Sequence, residues 1–125
     1  MSGAVGRSVF VEVGGLRLHA VVDGRARCPE VLVLHGFTGS AESMAGVADG
    51  LADFARVARL ELVGHGASDA PDDVAAYSMD ACAAQIAAAA RGLGFVRPWL
   101  LGYSMGGRAA LAAALARPDA FAGLM

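Results

Sequence analysis

The segment that most constrains this chain is Gly102-Tyr103-Ser104-Met105-Gly106, which has the form Gly-x-Ser-x-Gly. It lies between an apolar run ending at Leu101 and a stretch of helix-forming residues from Arg108 to Arg117. A serine placed between a buried strand and a helix is typical of a nucleophile elbow, a sharp turn that exposes the serine hydroxyl. We expect a Cβ atom at either glycine to collide with the neighbouring strand or helix. The alternative is a serine that simply caps the helix.

A second segment combines an apolar strand, Val31–Leu34, with the loop His35-Gly36-Phe37-Thr38-Gly39. An elbow serine needs two backbone N–H groups aimed at the oxygen that becomes negative during reaction. One belongs to the residue after the serine, which is Met105, and the other to the loop after an earlier strand, where Phe37 is the candidate. His35 could act as a general base, but we favour a histidine that organises its loop through backbone hydrogen bonds.

A third segment, Glu61-Leu62-Val63-Gly64-His65-Gly66, ends a strand predicted from Arg56 to Leu62. No second histidine or cysteine lies at a spacing typical of metal ligands, so the sequence predicts no metal site. We interpret His65 and Asp69 as residues that hold the glycine-rich turn together.

The rest of the chain alternates between strand and helix patterns. It predicts a hairpin (Val9–Val13 and Leu16–Val22 around Gly14-Gly15), helices from Ala41 to Ala55 and from Ser78 to Gly92, a strand at Trp99–Leu101 and the entry into a further strand after Ala120. This order predicts an α/β fold: a mostly parallel sheet flanked by helices, with an N-terminal hairpin. Ligands of such sheets bind at the carboxyl ends of the strands, where His35, Gly64 and Ser104 fall.

The three segments, in this order and spacing, resemble the α/β-hydrolase superfamily from about Val9 to Met125. Within it, residues 35–39 and 102–108 are most similar to the 2-succinyl-6-hydroxy-2,4-cyclohexadiene-1-carboxylate synthases, menaquinone-pathway enzymes that expel pyruvate. The resemblance implies that Arg108 binds a small anionic, carboxylate-rich substrate, for which a guanidinium group is well suited. The alternative is that Arg108 is a solvated helix residue.

The chain departs from this family in its third segment and in its length. The family pattern Asp-x-Pro-Gly-His-Gly has become Glu61-Leu62-Val63-Gly64-His65-Gly66. In the superfamily the catalytic residues follow the order serine, acid, histidine. After Ser104 there is one acidic residue, Asp119, too early to be the triad acid, and no histidine.

We therefore interpret residues 1–125 as the N-terminal half of a single α/β-hydrolase domain, truncated before its last strands. The serine and the oxyanion hole would be present, whereas the acid and the histidine would lie beyond the chain. We expect the chain alone to be inactive. We also expect the strand before Ser104, which is central in the complete fold, to become an edge of the sheet.

Three functions remain open. The first is elimination of pyruvate by a lyase on this fold, through a Ser-His-Asp triad, without a metal or an organic cofactor. The second is a carboxylesterase or a C–C bond hydrolase, in which Ser104 would act as the nucleophile. The third is a non-catalytic ligand-binding module on a hydrolase scaffold.

Composition excludes several other classes. A net charge of −2 argues against a nucleic-acid partner. The apolar stretch 81–90 is too short to span a bilayer, and residues 1–7 have no apolar core of the kind found in signal peptides. Cys28 and Cys82 are far apart in sequence and are typical of free thiols in a reducing cytoplasm, which is the predicted location. The sequence gives no prediction of oligomeric state.

Overall fold

The computed structural model describes residues 6–24 and 29–125. Strands and helices alternate after an initial hairpin. In chain order the elements are β1 (Arg7–Val13), β2 (Leu16–Asp23), β3 (Glu30–Leu34), α1 (Ala45–Leu51), β4 (Arg56–Leu60), α2 (Met79–Gly92), β5 (Trp99–Gly102), α3 (Met105–Ala116) and β6 (Gly123–Leu124). Three short 3-10 helices cover Glu42–Met44, Val74–Tyr77 and Pro118–Ala120.

The strands form one sheet in the order β1-β2-β4-β3-β5-β6. The β1–β2 hairpin turns at Gly14 and Gly15, which both have positive φ and therefore suit glycine. β3 pairs in parallel with β4 on one side and with β5 on the other, and β6 continues the parallel part. β2 pairs with β4 in antiparallel fashion, so the sheet is mixed. The predicted α/β class, with its N-terminal hairpin, is confirmed.

Helices cover both faces of the sheet, as predicted. Leu32 and Leu34 of β3 point into the larger core cluster, which includes buried residues of α2 and α3. Val31 and Val33, which alternate with them, point into a smaller cluster with Met44 and α1 residues on the opposite face. A strand buried on both faces is apolar at every position, as this one is. β3 therefore lies between two helical layers.

Two predicted elements are shorter than expected. The helix predicted over 41–55 consists of the 3-10 turn Glu42–Met44 followed by α1, in which two glycines, Gly46 and Gly50, weaken the helix. The strand predicted to reach Leu62 ends at Leu60. The N–H of Leu62 instead donates a hydrogen bond to the ring of His35 at 3.0 Å, which removes it from the ladder.

The helix predicted to end at Gly92 is confirmed as α2. Ser78 precedes it in an extended conformation, and its hydroxyl accepts a hydrogen bond from the N–H of Ala81 at 3.0 Å. This is the geometry of an N-cap.

The expectation that the strand before Ser104 would lie at the sheet edge is wrong. β6 pairs with β5 through Trp99↔Gly123 and Leu100↔Leu124. The N–H of Met125 then donates to the carbonyl of Leu100 at 2.7 Å. A Cβ atom at Gly123 would overlap the ring of Trp99, so glycine is what permits this close pairing. The short β6, and not β5, is therefore the outermost described strand at this end of the sheet.

Two further sequence predictions concern the thiols and the membrane. Cys82 has a free thiol and is buried, and burial raises its pKa. Cys28 and the first five residues lie outside the described residues. Within the described ranges, the helices are all too short or too polar to cross a membrane.

Replacing Gly106 by alanine should destabilise the fold by about 1–3 kcal/mol, because the new methyl group would be forced into the backbone of β3 and its loop. Gly50→Ala is the matched control, since no atom lies within 4 Å of the position that its methyl group would take. That change in α1 should raise the free energy of unfolding by roughly 0.5–1 kcal/mol. Urea unfolding followed by circular dichroism measures both. Equal effects of the two substitutions would contradict this account of helix packing.

Candidate active site

Ser104 has the backbone geometry of an elbow. Its φ is 54° and its ψ is −115°. Thr38 is the other non-glycine residue with positive φ in the described part of the chain. Such a conformation costs an ordinary residue of order 1–3 kcal/mol and persists where the surroundings enforce it. The Ser104 side chain is exposed and makes no capping hydrogen bond to α3. The helix-cap alternative is therefore wrong.

The glycines around Ser104 permit the turn for the steric reason predicted. A Cβ atom at Gly102 would overlap the backbone of Gly106, and one at Gly106 would overlap the carbonyl oxygens of Leu34 and His35. The first turn of α3 thus lies directly on the backbone that leaves β3. The predicted collision at both glycines is confirmed.

The loop after β3 lies against Ser104. A Cβ atom built on Gly36 would be 3.5 Å from the Cβ of Ser104 and 3.1 Å from the ring of Tyr103. The N–H groups of Phe37 and Met105 donate no hydrogen bond to any residue in the described ranges. The structure thus brings the serine, Met105 and the Phe37 loop together at the carboxyl ends of β3 and β5.

His35 is buried and organises its own loop. Its Nδ1 donates to the carbonyl of Gly36 at 2.7 Å, and its Nε2 accepts the N–H of Leu62 at 3.0 Å. Both ring nitrogens are therefore bonded to backbone, which fixes a neutral tautomer. Burial lowers the pKa of His35, and the nearby ring of His65 acts in the same direction. The interpretation of His35 as a loop-organising residue is confirmed.

His65 holds two turns. Its Nδ1 donates to the carbonyl of Val63 at 3.0 Å, and its Nε2 accepts the N–H of Thr38 at 3.2 Å. The second bond reaches the loop after β3, which sequence reasoning did not foresee. Asp69 accepts the N–H of Arg17 at 2.8 Å through its carboxylate. The predicted turn-holding role of His65 is confirmed. Asp69 holds the turn through its main-chain carbonyl, which accepts the N–H of Gly64 at 2.8 Å, whereas its carboxylate joins the turn to β2.

Glu61 stands where the family pattern has aspartate, and the sequence predicts no role for it. Its buried carboxylate accepts the N–H groups of Ala41 at 3.0 Å and Ala67 at 2.8 Å, and the Nδ1–H of His19 at 2.7 Å. Burial by itself would raise the pKa of Glu61, but these hydrogen bonds outweigh it and hold the pKa below its ordinary value. Gly66, with φ 54°, leaves no room for a side chain beside this carboxylate. The sequence feature that could have revealed this role is an acidic residue directly after a buried strand and before a glycine-rich turn.

Arg108 is exposed on the first turn of α3. Its N–H donates to the carbonyl of Ser104 at 3.2 Å, so the two residues lie one helical turn apart on the same side of the helix. The guanidinium group forms no ion pair with any described residue. Binding of an anionic substrate by Arg108 therefore stays a prediction.

Two cavities adjoin the residues next to Ser104: Tyr103 lines one and Met105 lines the other. Phe37 lines both, and Ser104 itself lines neither. One, of about 560 Å³, is lined by Gly36, Phe37, Thr38, Gly39, Ser43, Met44, Val47 and Tyr103. The other, of about 170 Å³, is lined by mostly apolar side chains: Phe37, Leu62, Val63, His65, Tyr77, Met79, Cys82, Met105 and Ala109. Arg108 lines neither. A cavity of about 620 Å³ lies elsewhere, between the β1–β2 turn and α2.

Within the described residues Ser104 has no base. The histidines at 19, 35 and 65 are hydrogen-bonded to groups other than its hydroxyl. The same ranges contain no cluster of three or more histidine, cysteine or acidic side chains arranged to hold a metal ion. The site as described consists of an exposed serine and two unpaired N–H groups.

Comparison with known proteins places the chain among α/β hydrolases. Residues 29–125 match the family model described as the alpha/beta hydrolase fold. A putative 2-succinyl-6-hydroxy-2,4-cyclohexadiene-1-carboxylate synthase of Bacillus subtilis is 33% identical over 89% of this chain and 40% of its own length. A fluoroacetate dehalogenase of a Burkholderia species is 38% identical over 88% of this chain and 36% of its own length.

The fold also matches solved structures. Epoxide hydrolase A from Mycobacterium thermoresistibile superimposes with a TM-score of 0.89 at 28% identity, over 95% of this chain and 38% of that one. The chain thus spans about two-fifths of the length of the relatives it matches.

Stability should fall as the pH is lowered, in two stages. The pKa of His35 is depressed in the folded chain, so unfolding returns it towards 6.5 and takes up a proton. The stability that neutral, buried His35 contributes is complete above pH 6.5. It is lost as the pH falls from 6.5 through the lower pKa that His35 has in the folded chain. Glu61 behaves likewise below its ordinary 4.5. Urea unfolding between pH 8 and about pH 2.5 measures both stages.

His35→Gln is the control for the first stage. It removes the titrating ring, so it should flatten the pH dependence of stability just below pH 6.5 and leave the Glu61 stage in place. An unchanged first stage in this variant would refute the assignment to His35.

Proposed function

Because the chain belongs to the α/β-hydrolase family, we propose that Ser104 is the catalytic serine of an enzyme on this fold. The N–H groups of Phe37 and Met105 would form its oxyanion hole. The observation that carries this proposal is the positive φ of Ser104, which leaves its side chain exposed between Met105 and the Phe37 loop, whose N–H groups are unpaired. Donors fixed in place before reaction stabilise developing negative charge without reorganisation.

We further propose that residues 1–125 are the N-terminal part of one domain, with the triad acid and histidine supplied by later residues. The proposal is supported by relatives that extend well beyond the matched region. Ser104 is already held in place by contacts within the first 125 residues. A histidine delivered by a later loop would complete the site by reaching its hydroxyl.

The reaction we favour is the elimination of pyruvate by a 2-succinyl-6-hydroxy-2,4-cyclohexadiene-1-carboxylate synthase. The serine–histidine pair would remove a proton from carbon, and the carbon–oxygen bond to the pyruvyl group would break. Pyruvate would leave as its enolate, which then takes up a proton. The N–H groups of Phe37 and Met105 would hold the negative charge that forms, and Arg108 would bind a carboxylate of the small anionic substrate. The Bacillus subtilis relative supports this choice. The proposal places the activity in the cytoplasm, where Cys82 would stay reduced.

A serine nucleophile argues against epoxide hydrolysis and against the displacement of fluoride, the two reactions that the names of other relatives suggest. If a serine alkoxide attacked an epoxide carbon or displaced fluoride from carbon, the product would be an ether of Ser104. Water does not readily hydrolyse an alkyl ether, so such an enzyme would stop after one turnover. An acyl ester of serine, in contrast, is hydrolysed readily.

A carboxylesterase or a C–C bond hydrolase is the second candidate. The observation that favours it is the small cavity beside Met105, whose lining is mostly apolar and contains no cationic side chain. Such a cavity suits the apolar acyl group of an ester better than a carboxylate-rich substrate.

Arg108→Ala should separate the two candidates. In the longer protein that supplies the triad acid and histidine, the loss of the guanidinium should raise KM for an anionic substrate at least tenfold, which corresponds to about 1.4 kcal/mol. The hydrolysis of a neutral ester should hardly change. Arg117→Ala is the matched control, since it removes another exposed arginine just after α3. Equal effects of the two changes would show that general charge, and not a bound carboxylate, is responsible.

The protein isolated from its source cell should be clearly heavier than the 12.6 kDa of these residues. In that protein, Ser104→Ala should lower pyruvate release by about 10³-fold or more. Ester hydrolysis without pyruvate release would favour the second candidate. If neither activity is found and a fluorophosphonate fails to label Ser104, the catalytic proposal falls and a ligand-binding module remains.

A further inference from the structure

A second serine lies at the end of a chain of hydrogen-bonded side chains, remote in sequence from Ser104. The Oγ of Ser8 is 2.6 Å from Nε2 of His19, and Nδ1 of His19 is 2.7 Å from Oε1 of Glu61. We propose that Ser8 is a surface nucleophile that activated aryl esters acylate, with His19 as its base and Glu61 as the acid that orients the base.

Three neighbouring strands bring these residues together. Ser8 lies on β1, His19 on β2 and Glu61 directly after β4. The register pairs His19 with Phe10, so Ser8, two residues before Phe10, is a diagonal neighbour on the same face. Exposure increases from the acid to the serine. The side chain of Glu61 is 7% exposed, that of His19 is 14% exposed, and Ser8 is exposed.

The hydrogen bonds fix where the protons lie. The Glu61 carboxylate already accepts two backbone N–H groups, so it is ionised and acts as an acceptor. Nδ1 of His19 must then carry the proton that is donated to Glu61. Its Nε2 is left to accept the hydroxyl proton of Ser8. This is the arrangement in which a histidine draws a proton from a serine during nucleophilic attack.

His19 differs in this respect from the other histidines of the chain. The rings of His35 and His65 each use one nitrogen to donate to a backbone carbonyl and the other to accept a backbone N–H. Neither has a nitrogen free for a hydroxyl. His19 is the histidine whose Nε2 contacts a nucleophilic side chain.

The surroundings of Ser8 suit an aryl group. The ring of Phe10 lies 4.9 Å from the ring of His19, and the guanidinium of Arg17 lies 4.2 Å from the centre of the Phe10 ring. An aromatic surface and a cation beside it would accommodate an aryl ester whose leaving group gains negative charge.

The open edge of the sheet supplies a donor for the carbonyl oxygen. β1 is the outermost strand of the described sheet. Val13 and Leu16 flank a two-residue turn and so form a hydrogen-bonded pair. Pairs alternate along an antiparallel ladder, which places Ser8 in a non-hydrogen-bonded pair with its N–H directed away from β2. That N–H is positioned to bind an oxygen developing negative charge next to the Ser8 hydroxyl.

The acylation of Ser8 needs no reagent other than the ester. The Ser8 Oγ attacks the ester carbonyl carbon as its proton passes to Nε2 of His19. The carbon–oxygen bond to the aryl group then breaks, and the aryloxide leaves with the proton from His19. The products are a Ser8 ester and a phenol. This inference uses residues that are all present in the chain and does not depend on the function proposed for Ser104.

The test uses p-nitrophenyl acetate and the 125-residue chain. The basic residues are all arginine, so trypsin separates the two serines into peptides 8–17 and 92–108, each with a single serine. We expect acetyl transfer to peptide 8–17 at least tenfold faster in the folded chain than in the chain unfolded in urea. Ser8→Ala should abolish this adduct.

His19→Gln provides the second arm, with folding checked by circular dichroism. It keeps a polar side chain but removes the base, so acetylation of Ser8 should fall to the rate of the unfolded chain. Acetylation of peptide 8–17 no faster in the folded wild-type chain than in the unfolded one would overturn the proposal, as would an unchanged rate in a folded His19→Gln chain. Acetylation confined to peptide 92–108 would also overturn it, and would still be compatible with a catalytic Ser104.

Discussion

The close approach of α3 to the backbone of β3 is the contact on which the candidate site depends. Gly102 and Gly106 permit it, because any side chain there would overlap main-chain atoms. With the helix held so near, the connection at Ser104 has to turn within very few residues, and the positive φ of Ser104 follows. The strain at Ser104 is thus balanced by packing around it, which keeps the hydroxyl outside the helix and next to the Phe37 loop.

Buried polar groups hold the loops around this turn together. The Glu61 carboxylate accepts backbone N–H groups from the segment after β3, at Ala41, and from the segment after β4, at Ala67. His35 and His65 connect the loop after β3 to the loop after β4. Removal of one of these side chains would leave its buried partners without a hydrogen bond, and this would lower the free energy of unfolding. The loops are therefore fixed as one unit, and the pH dependence of stability follows from the same network.

The sequence predicts the fold well where the pattern is local. Glycines flanking Ser104, the apolar run of β3 and the Ser78 cap each specify their structure through neighbouring residues, and each is confirmed. Predictions fail where distant residues decide. The end of β4 depends on a hydrogen bond from Leu62 to His35, and the position of β5 depends on a two-residue pairing with β6. The roles of Glu61 and His19 were missed for the same reason, since 42 residues separate them in sequence.

Ser104 and Ser8 have the same side chain but are supported in opposite ways. Ser104 has a strained backbone and two free N–H donors, and in the described residues it has no base. Ser8 has a base and an orienting acid, but it lies on an ordinary strand without an enclosing cavity. Stabilising the oxyanion and removing the proton contribute separately to the rate of attack. Ser8 should therefore react with esters whose leaving group needs little help, whereas the turnover proposed for Ser104 depends on a histidine supplied by later residues.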